Sequence, residues 1–451
     1  MRHISPHAGR CATRLAPCGR PPRTGCVALY PCKGFDFTWG DWLFALAGCL
    51  STPKRDLDAL LEQEWCRTAT APGPRAGALA CLTVRSAFDL FLRAQRWPPG
   101  AEIVFSALTV PDMPRIAALH GFKPVALDID PLSTRWDEGN LERLVGPQTC
   151  ALVLAHLFGA RVDIDTAIAL ARRRNVAVIE DCAQAYAGTA FRGHPEADIA
   201  LFSFGPMKTG TALGGAIAGV RSPTVLAEMR RLRDDDPVQP RGDYWRRLMR
   251  YGAFKALTQP RLFGALATAA EKLGIDREQW VHGATRSTVG AGARRRGRAL
   301  AGAGEPSGGI VPSRNVSPKS WIAGLRRRPS AALLRLLVRR LADGDELLEE
   351  RSRRGAVLTG AIGPHVALPT RSATPHGHWM IPVLPYDRVG LVRSLRNAGF
   401  DAMSGRLTVV NGNAREAPGA ARLAEAVYVP FDPSVPEREL ERLGELVTRF
   451  A

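Results

Sequence analysis

The chain has 451 residues, 45% of them hydrophobic, and a formal net charge of +18. That length accommodates a large domain and a smaller one, whereas no apolar run approaches the roughly 18 residues of a membrane-spanning helix, so any membrane contact is expected to be peripheral. The basic excess lies largely in arginine-rich segments that carry no nucleic-acid-binding motif, which argues for solvated basic faces and against a nucleic-acid partner.

Residues 1–35 contain Arg2, Arg10, Arg14, Arg20, Arg23 and Lys33 but no acidic residue, as a transit peptide would, yet without a clear amphipathic pattern they read rather as a basic, disordered leader or a misassigned start. Cys11, Cys18, Cys26 and Cys32 lack the paired spacing of a zinc site, and the total of nine cysteines is odd, so reduced thiols in a cytoplasm are expected and no metal site. Within 36–229, strand-like runs at Ile103–Phe105, Pro124–Leu127, Ala151–Ala155, Val176–Ile179, Ile199–Phe204 and Ala216–Val220 alternate with helical stretches at Met113–His120 and Ile164–Arg174. This alternation predicts an α/β domain with a mostly parallel sheet. The stretch 230–320 is basic and poor in strand signals, with a Gly/Ala/Arg linker at 290–309. Here Tyr244, Trp245, Leu248, Met249, Tyr251, Phe254, Leu257, Leu262, Phe263 and Leu266 interleave with Arg246, Arg247, Arg250, Lys255 and Arg261. Packing on the rest of the protein or a partner is the favoured reading, and an interfacial helix meeting anionic headgroups is its rival. From 321 to 451 a helical pattern at Ala331–Arg354, a strand at Trp379–Val383, a helix at Val389–Ala398 closed by Gly399, a strand at Tyr428–Pro430 and an amphipathic Glu437–Phe450 predict a smaller C-terminal α/β domain.

The chemistry concentrates between Val176 and Gly215. The strand Val176–Ile179 runs into Glu180-Asp181-Cys182-Ala183-Gln184, and one strand later comes Phe202-Ser203-Phe204-Gly205-Pro206-Met207-Lys208. A carboxylate at the end of a buried strand requires a cationic partner. Pyridoxal phosphate needs both groups: a lysine amine to form a Schiff base with its aldehyde, and a carboxylate to keep its pyridine nitrogen protonated. Lys208 and Asp181 are thus the candidate catalytic and cofactor-binding pair, with Lys208 serving in turn as proton-transfer base. A cofactor phosphate favours a helix N-terminus, and Arg85-Ser86-Ala87 precedes the helical run Phe88–Ala94, where Ser86 also suits an N-cap.

Ile179 to Ala185 and Phe202 to Lys208, preceded in order by Asp128-Ile129-Asp130 and His156-Leu157-Phe158-Gly159, resemble the sequence blocks of the DegT/DnrJ/StrS family of pyridoxal-phosphate-dependent sugar aminotransferases. The resemblance runs from about Leu82 to Val220 and is weaker near the C-terminus. It implies a fold-type I aminotransferase, a homodimer, an amino-acid donor such as glutamate and a nucleotide-linked keto sugar as acceptor. It further implies that Ser86, Ala87 and Ser203 hold the cofactor phosphate, that Gln184 lies beside the ring, and that 230–320 is an insertion. Three positions depart from the pattern. Val110 stands where an aromatic residue often stacks on the ring, the loop Thr209–Gly215 is short and lacks an acidic residue, and Leu325–Ser330 aligns with a segment lent across the dimer, where Arg326 would replace a phosphate contact. His156 is favoured as a structural histidine, and His376 and His378 are undecided. Rival readings are a catalytically silent regulatory or scaffolding relative, and a lyase or sugar dehydratase of the same fold; by the resemblance, the dehydratases replace the lysine.

Overall fold

The computed structural model describes residues 28–32, 34–51, 56–67, 76–273, 318–405, 407–432 and 435–451; residues 1–27 of the expected leader and the 290–309 linker lie outside them. In chain order the elements up to the linker are β1 (Tyr30–Pro31), α1 (Trp39–Leu50), α2 (Leu57–Arg67), β2 (Gly77–Cys81), α3 (Val84–Ala94), β3 (Glu102–Ser106), β4 (Leu108–Thr109), α4 (Asp112–Leu119), β5 (Lys123–Leu127), α5 (Glu138–Leu144), β6 (Thr149–Ala155), α6 (Asp165–Arg174), β7 (Ala177–Asp181), β8 (Ile199–Ser203), β9 (Ala216–Val220), α7 (Pro223–Asp234), α8 (Arg241–Leu257) and α9 (Pro260–Lys272). After it come α10 (Pro318–Ala323), α11 (Ala331–Ala342), α12 (Glu346–Ala361), β10 (Ile381–Val383), α13 (Arg388–Asn397), β11 (Phe400–Asp401), β12 (Met403–Ser404), β13 (Thr408–Val409), α14 (Pro418–Ala424), β14 (Val427–Val429) and α15 (Glu437–Phe450).

A seven-stranded sheet of order β2-β9-β8-β7-β6-β3-β5 forms the centre of the large domain. Strands β8, β7, β6, β3 and β5 run parallel, and β9 is antiparallel to both neighbours. Helices cover both faces, which is why all of Thr149–Ala155 is buried and reads as an unbroken apolar run. Side chains still alternate: Ile103 and Phe105 pack with Phe88, Phe91 and Met113, whereas Val104 packs with Leu152, Val178 and Ile168 on the opposite face.

The six strands expected from the sequence are present, and β2 adds a seventh. Its small residues, Gly77-Ala78-Leu79-Ala80-Cys81, carry little intrinsic strand preference, and pairing with Ala216–Val220 fixes them. The helical pattern expected at Ala331–Arg354 divides into α11 and α12, because the chain turns extended at Asp343, just before Gly344. The end of the expected leader is ordered as well. Tyr30 and Pro31 pair in parallel with Phe400 and Asp401, and Leu29 and Cys32 are buried.

Helix α8 belongs to the large domain's core. Tyr244, Leu248 and Tyr251 lie in one cluster with Phe202, Phe204, Leu333 and Leu337, and the Trp42 Nε1–H donates to the Leu248 carbonyl at 2.8 Å. The start of the stretch read as an insertion is therefore built into the domain that precedes it. The small domain centres on the antiparallel sheet β10-β14-β12, with α12, α13 and α15 burying Leu358, Leu391, Leu395, Leu443 and Val447 against Val383 and Val429. No helix among the described residues is long and apolar enough to cross a membrane.

Candidate active site

Strand register places the candidate residues along one sheet edge. Asp181 ends β7 opposite Ala155 and Leu201. Ser203 ends β8 opposite Ala216, which in turn pairs with Cys81 at the end of β2. Helix α3 starts three residues later, so its N-terminus, Ser203 and Asp181 share the edge formed by the carboxyl ends of the parallel strands, where open α/β sheets bind ligands.

Asp181 is 9% exposed and accepts one hydrogen bond at Oδ1, from the Ala183 N–H at 3.0 Å. Burial pushes its carboxyl above the ordinary carboxylate range, against the opposing pull of the Ala183 N–H and of the neighbouring Lys208 and His156 side chains. Such a carboxylate gains from a further cation, and a protonated pyridine nitrogen meets that need.

Lys208 lies in a tight turn, its N–H donating to the Gly205 carbonyl at 3.0 Å, while Thr211 Oγ1 donates to the same carbonyl at 2.6 Å. The following Gly210 has φ +64°, a conformation costly for other residues, and its N–H donates to Asp36 Oδ2 at 2.6 Å. Lys208 Nζ stands 3.9 Å from the centre of the Trp379 ring, and the Trp379 Nε1–H donates to the Met207 carbonyl at 2.7 Å. Lys208 opens onto a pocket that Asp36, Arg351, Trp379, Phe431 and Asp432 help to line. Sequence reasoning missed Asp36, Arg351 and Trp379. They come from the N-terminal segment and the small domain, and nothing local in their sequence marks contacts so distant along the chain.

The expected phosphate residues stand as follows. Thr83, not Ser86, caps α3, its Oγ1 accepting from the Ser86 N–H at 3.1 Å. Ser86 lies within the first turn, and its hydroxyl donates to the Leu325 carbonyl at 2.8 Å. The Ala87 N–H donates to the Thr83 carbonyl at 3.0 Å. The α3 N-terminus remains suited to an anion through its first N–H groups, which precede the intrahelical ladder. Ser203 Oγ lies 3.5 Å from the Gly205 N. Gln184 uses its Oε1 to accept from the Phe158 N–H at 2.8 Å, holding the His156–Gly159 loop to the end of β7.

Within its own chain Arg326 is engaged by a carboxylate of α3. Its guanidinium grips Asp89, Nε to Oδ2 and a terminal nitrogen to Oδ1, both at 3.0 Å. The cause is the burial of Asp89, a carboxylate that also pairs with His120 at 2.8 Å. Burial alone would raise the Asp89 pKa, but these hydrogen bonds hold it below the ordinary value. Val110 is exposed.

His156 is structural. Its Nδ1 accepts from the Val162 N–H at 3.0 Å, which places the proton on Nε2, 2.9 Å from Glu180 Oε1. Cys182 lies close to both, a grouping that could hold a metal, but this proton placement makes the His156–Glu180 pair a hydrogen-bonded brace. His376 and His378 stack with ring centres 3.9 Å apart, and burial pushes their pKa values down to about 3 and about 4, helped by the His378 and Arg351 charges respectively.

Comparison with known proteins matches residues 74–255 to the DegT/DnrJ/EryC1/StrS aminotransferase family. The chain is 34% identical over 171 residues, 37% of its length, to a GDP-perosamine synthase of Caulobacter vibrioides, and 32% identical over 153 residues, 33% of its length, to a pleiotropic regulatory protein of Geobacillus stearothermophilus. It spans under half of either relative, 46% and 41% respectively. Similarity of structure extends further. A Streptococcus pneumoniae protein assigned as a sugar aminotransferase, in its PLP form, is 14% identical with a TM-score of 0.65, covering 93% of this chain and 98% of that one. A 3-amino-5-hydroxybenzoic acid synthase is 20% identical with a TM-score of 0.60, covering 94% and 98%. The fold is therefore that of the fold-type I PLP aminotransferases, with a large, mostly parallel sheet domain and a smaller C-terminal domain.

Proposed function

We propose that the protein is a pyridoxal-phosphate-dependent transaminase that moves an amino group from an amino acid, glutamate by family analogy, to a nucleotide-linked keto sugar. The observation that carries this reading is Asp181, a buried carboxylate at the carboxyl edge of the sheet within the electrostatic reach of Lys208. Pyridoxal phosphate, when bound, supplies an aldehyde for amine capture and a ring that withdraws electrons. Asp181 would hold a proton at the ring nitrogen, and Lys208 Nζ would bind the cofactor covalently and then, once released, carry protons to and from the substrate carbon. The α3 N-terminus and Ser203 would orient the phosphate, and Trp379 would exclude water from the lysine. The GDP-perosamine synthase relative supports a nucleotide-sugar acceptor, and family analogy supports a homodimer in the cytoplasm.

A regulatory role is the second reading, favoured by the similarity to a pleiotropic regulatory protein and by an exposed Val110 where the resemblance calls for an aromatic residue. Absorbance decides between them. After incubation with pyridoxal phosphate, the protein should show a band at roughly 410–430 nm, and borohydride should fix the cofactor on Lys208; Lys208→Ala should lose both signals. Absence of the band and of trapping in the unaltered protein would sink the enzymatic reading.

As a further partner we propose an anionic membrane surface, met by the exposed face of α8 and α9. Trp245, Met249, Leu257 and Leu262 are exposed there beside Arg246, Arg250 and Arg261, apolar residues and positive charge in the combination that suits an anionic interface.

A further inference from the structure

We propose that Trp379 is a positioning residue for Lys208, holding the ammonium group against its indole face so that the amine is parked on the small-domain side of the site until a reacting carbonyl draws it away. The idea rests on Lys208 being the cofactor lysine, but its evidence is separate. Lys208 belongs to the loop after β8 and Trp379 to the segment leading into β10, and Nζ lies 3.9 Å from the ring centre, well within cation–π range.

Two anchors fix the indole. Its Nε1–H donates to the Met207 carbonyl, the residue before the lysine, at 2.7 Å. Its backbone is held by Arg351, which donates from Nε to the His378 carbonyl at 3.1 Å and from a terminal nitrogen to the Trp379 carbonyl at 2.8 Å. Arg351, itself half-buried, lies over the Phe431 ring, its guanidinium 4.8 Å from the ring centre. On the other side, Gly159 admits the segment: a Cβ there would meet the Trp379 N at 2.5 Å and the His378 N at 2.8 Å. The ring therefore has little freedom to leave the lysine, whereas the four-carbon lysine stem can swing.

The consequence is chemical. A ring quadrupole attracts the ammonium more strongly than the neutral amine, so this contact has to be given up before the Lys208 amine attacks a carbonyl. Cys32, Asp36, Arg351 and Asp432 line the same pocket, and Asp181 and His156 stand at the strand ends nearby. These groups are unchanged when only Trp379 is altered.

The test uses the full protein without cofactor. Acylation of Lys208 by an N-hydroxysuccinimide ester is timed by mass spectrometry of the Lys208 peptide between pH 6 and 9. Trp379→Leu should accelerate acylation about two- to five-fold at a given pH, and Trp379→Phe, which keeps an aromatic face but loses the Met207 hydrogen bond, should stay within about two-fold of the unaltered protein. Protein carrying tetrafluorinated tryptophan at position 379 alone, placed there by stop-codon suppression, keeps the N–H but loses the attracting face, so it should behave like the leucine variant and guards against misfolding of that variant. Unchanged rates in the leucine and fluorinated proteins would overturn the proposal. Equal acceleration in the leucine and phenylalanine variants, with none on fluorination, would overturn it too, because packing and not the ring face would then govern the amine. A protein that never takes up pyridoxal phosphate would defeat the transaminase reading and leave these rates measurable.

Discussion

Asp181→Asn separates catalysis from folding. The amide keeps the carbonyl oxygen that accepts the Ala183 N–H and removes a buried charge whose desolvation already opposes ionisation, so the melting temperature should stay level or rise. It cannot keep a ring nitrogen protonated, so amino transfer should fall about a hundredfold or more. Parallel loss of melting temperature and activity, followed by calorimetry and a coupled assay, would instead mark Asp181 as a structural ion-pair residue. The placement of Asp181 at a strand end and of Lys208 in the loop after a strand was legible in sequence, because these are local features with distinctive residues. The intrachain partners of Ser86 and Arg326, the Leu325 carbonyl and Asp89, were not legible, since they depend on how 325–326 lies over α3. Trp379 was read only as a strand residue. Nothing in its own neighbourhood announces a lysine 171 positions earlier.

At the scale of elements, the small-domain segment from Thr370 to Trp379 contacts the His156–Gly159 loop of the large domain and holds two histidines that acid would charge. His376 Nε2 lies 2.9 Å from Thr370 Oγ1, His376 Nδ1 accepts from the His378 N–H at 2.9 Å, and the rings stack. Both histidines are neutral in the folded state, with pKa values near 3 and 4, and have an ordinary value near 6.5 when unfolded. The unfolded chain therefore binds more protons below about pH 6.5, and stability present above that pH is lost as pH falls toward about 4. Urea midpoints measured from pH 7 to 5 should drop, and the drop should shrink in His376→Gln with His378→Gln; an equal slope in both proteins would assign the acid loss elsewhere. The α10–α11 connection offers a second prediction. Arg326→Ala leaves Asp89 buried with His120 at 2.8 Å and Arg93 at 3.9 Å, so the loss should be about 1–3 kcal/mol, less than for an uncompensated buried charge. Denaturant unfolding measures that loss, and a cost below about 1 kcal/mol would show that Arg326 is solvated and only loosely held. These elements also show where sequence reading stops. Strands β3 and β5–β9 announced themselves through apolar runs, whereas β2 depends on its neighbour for definition, and β1 is two residues whose strand identity exists only through Phe400 and Asp401.

For the whole molecule, the net charge of +18 and the two faces of α8 raise the same question. Tyr244, Leu248 and Tyr251 point into the core and Phe263 of α9 is buried, so the packing reading accounts for these residues of the apolar set found in sequence. Trp245, Met249 and Leu257 follow at four- and eight-residue intervals on the outer face of α8, with Leu262 exposed on α9, and Arg246, Arg250 and Arg261 are exposed beside them. Removal of residues 240–275 would strip core side chains and confuse unfolding with loss of binding, so the informative change is confined to the outer face. Replacing Trp245, Met249, Leu257 and Leu262 with glutamine should leave the melting temperature within a few degrees, as exposed positions generally do. Sedimentation with phosphatidylserine vesicles should then fall several-fold relative to the unaltered protein, and the unaltered protein should itself sediment less with phosphatidylcholine or at high salt, because the arginines contribute through charge. If both proteins sediment equally, the membrane contact is wrong. If neither binds vesicles and the glutamine variant sediments as a monomer where the unaltered protein is a dimer, the outer face belongs to a second copy of the chain.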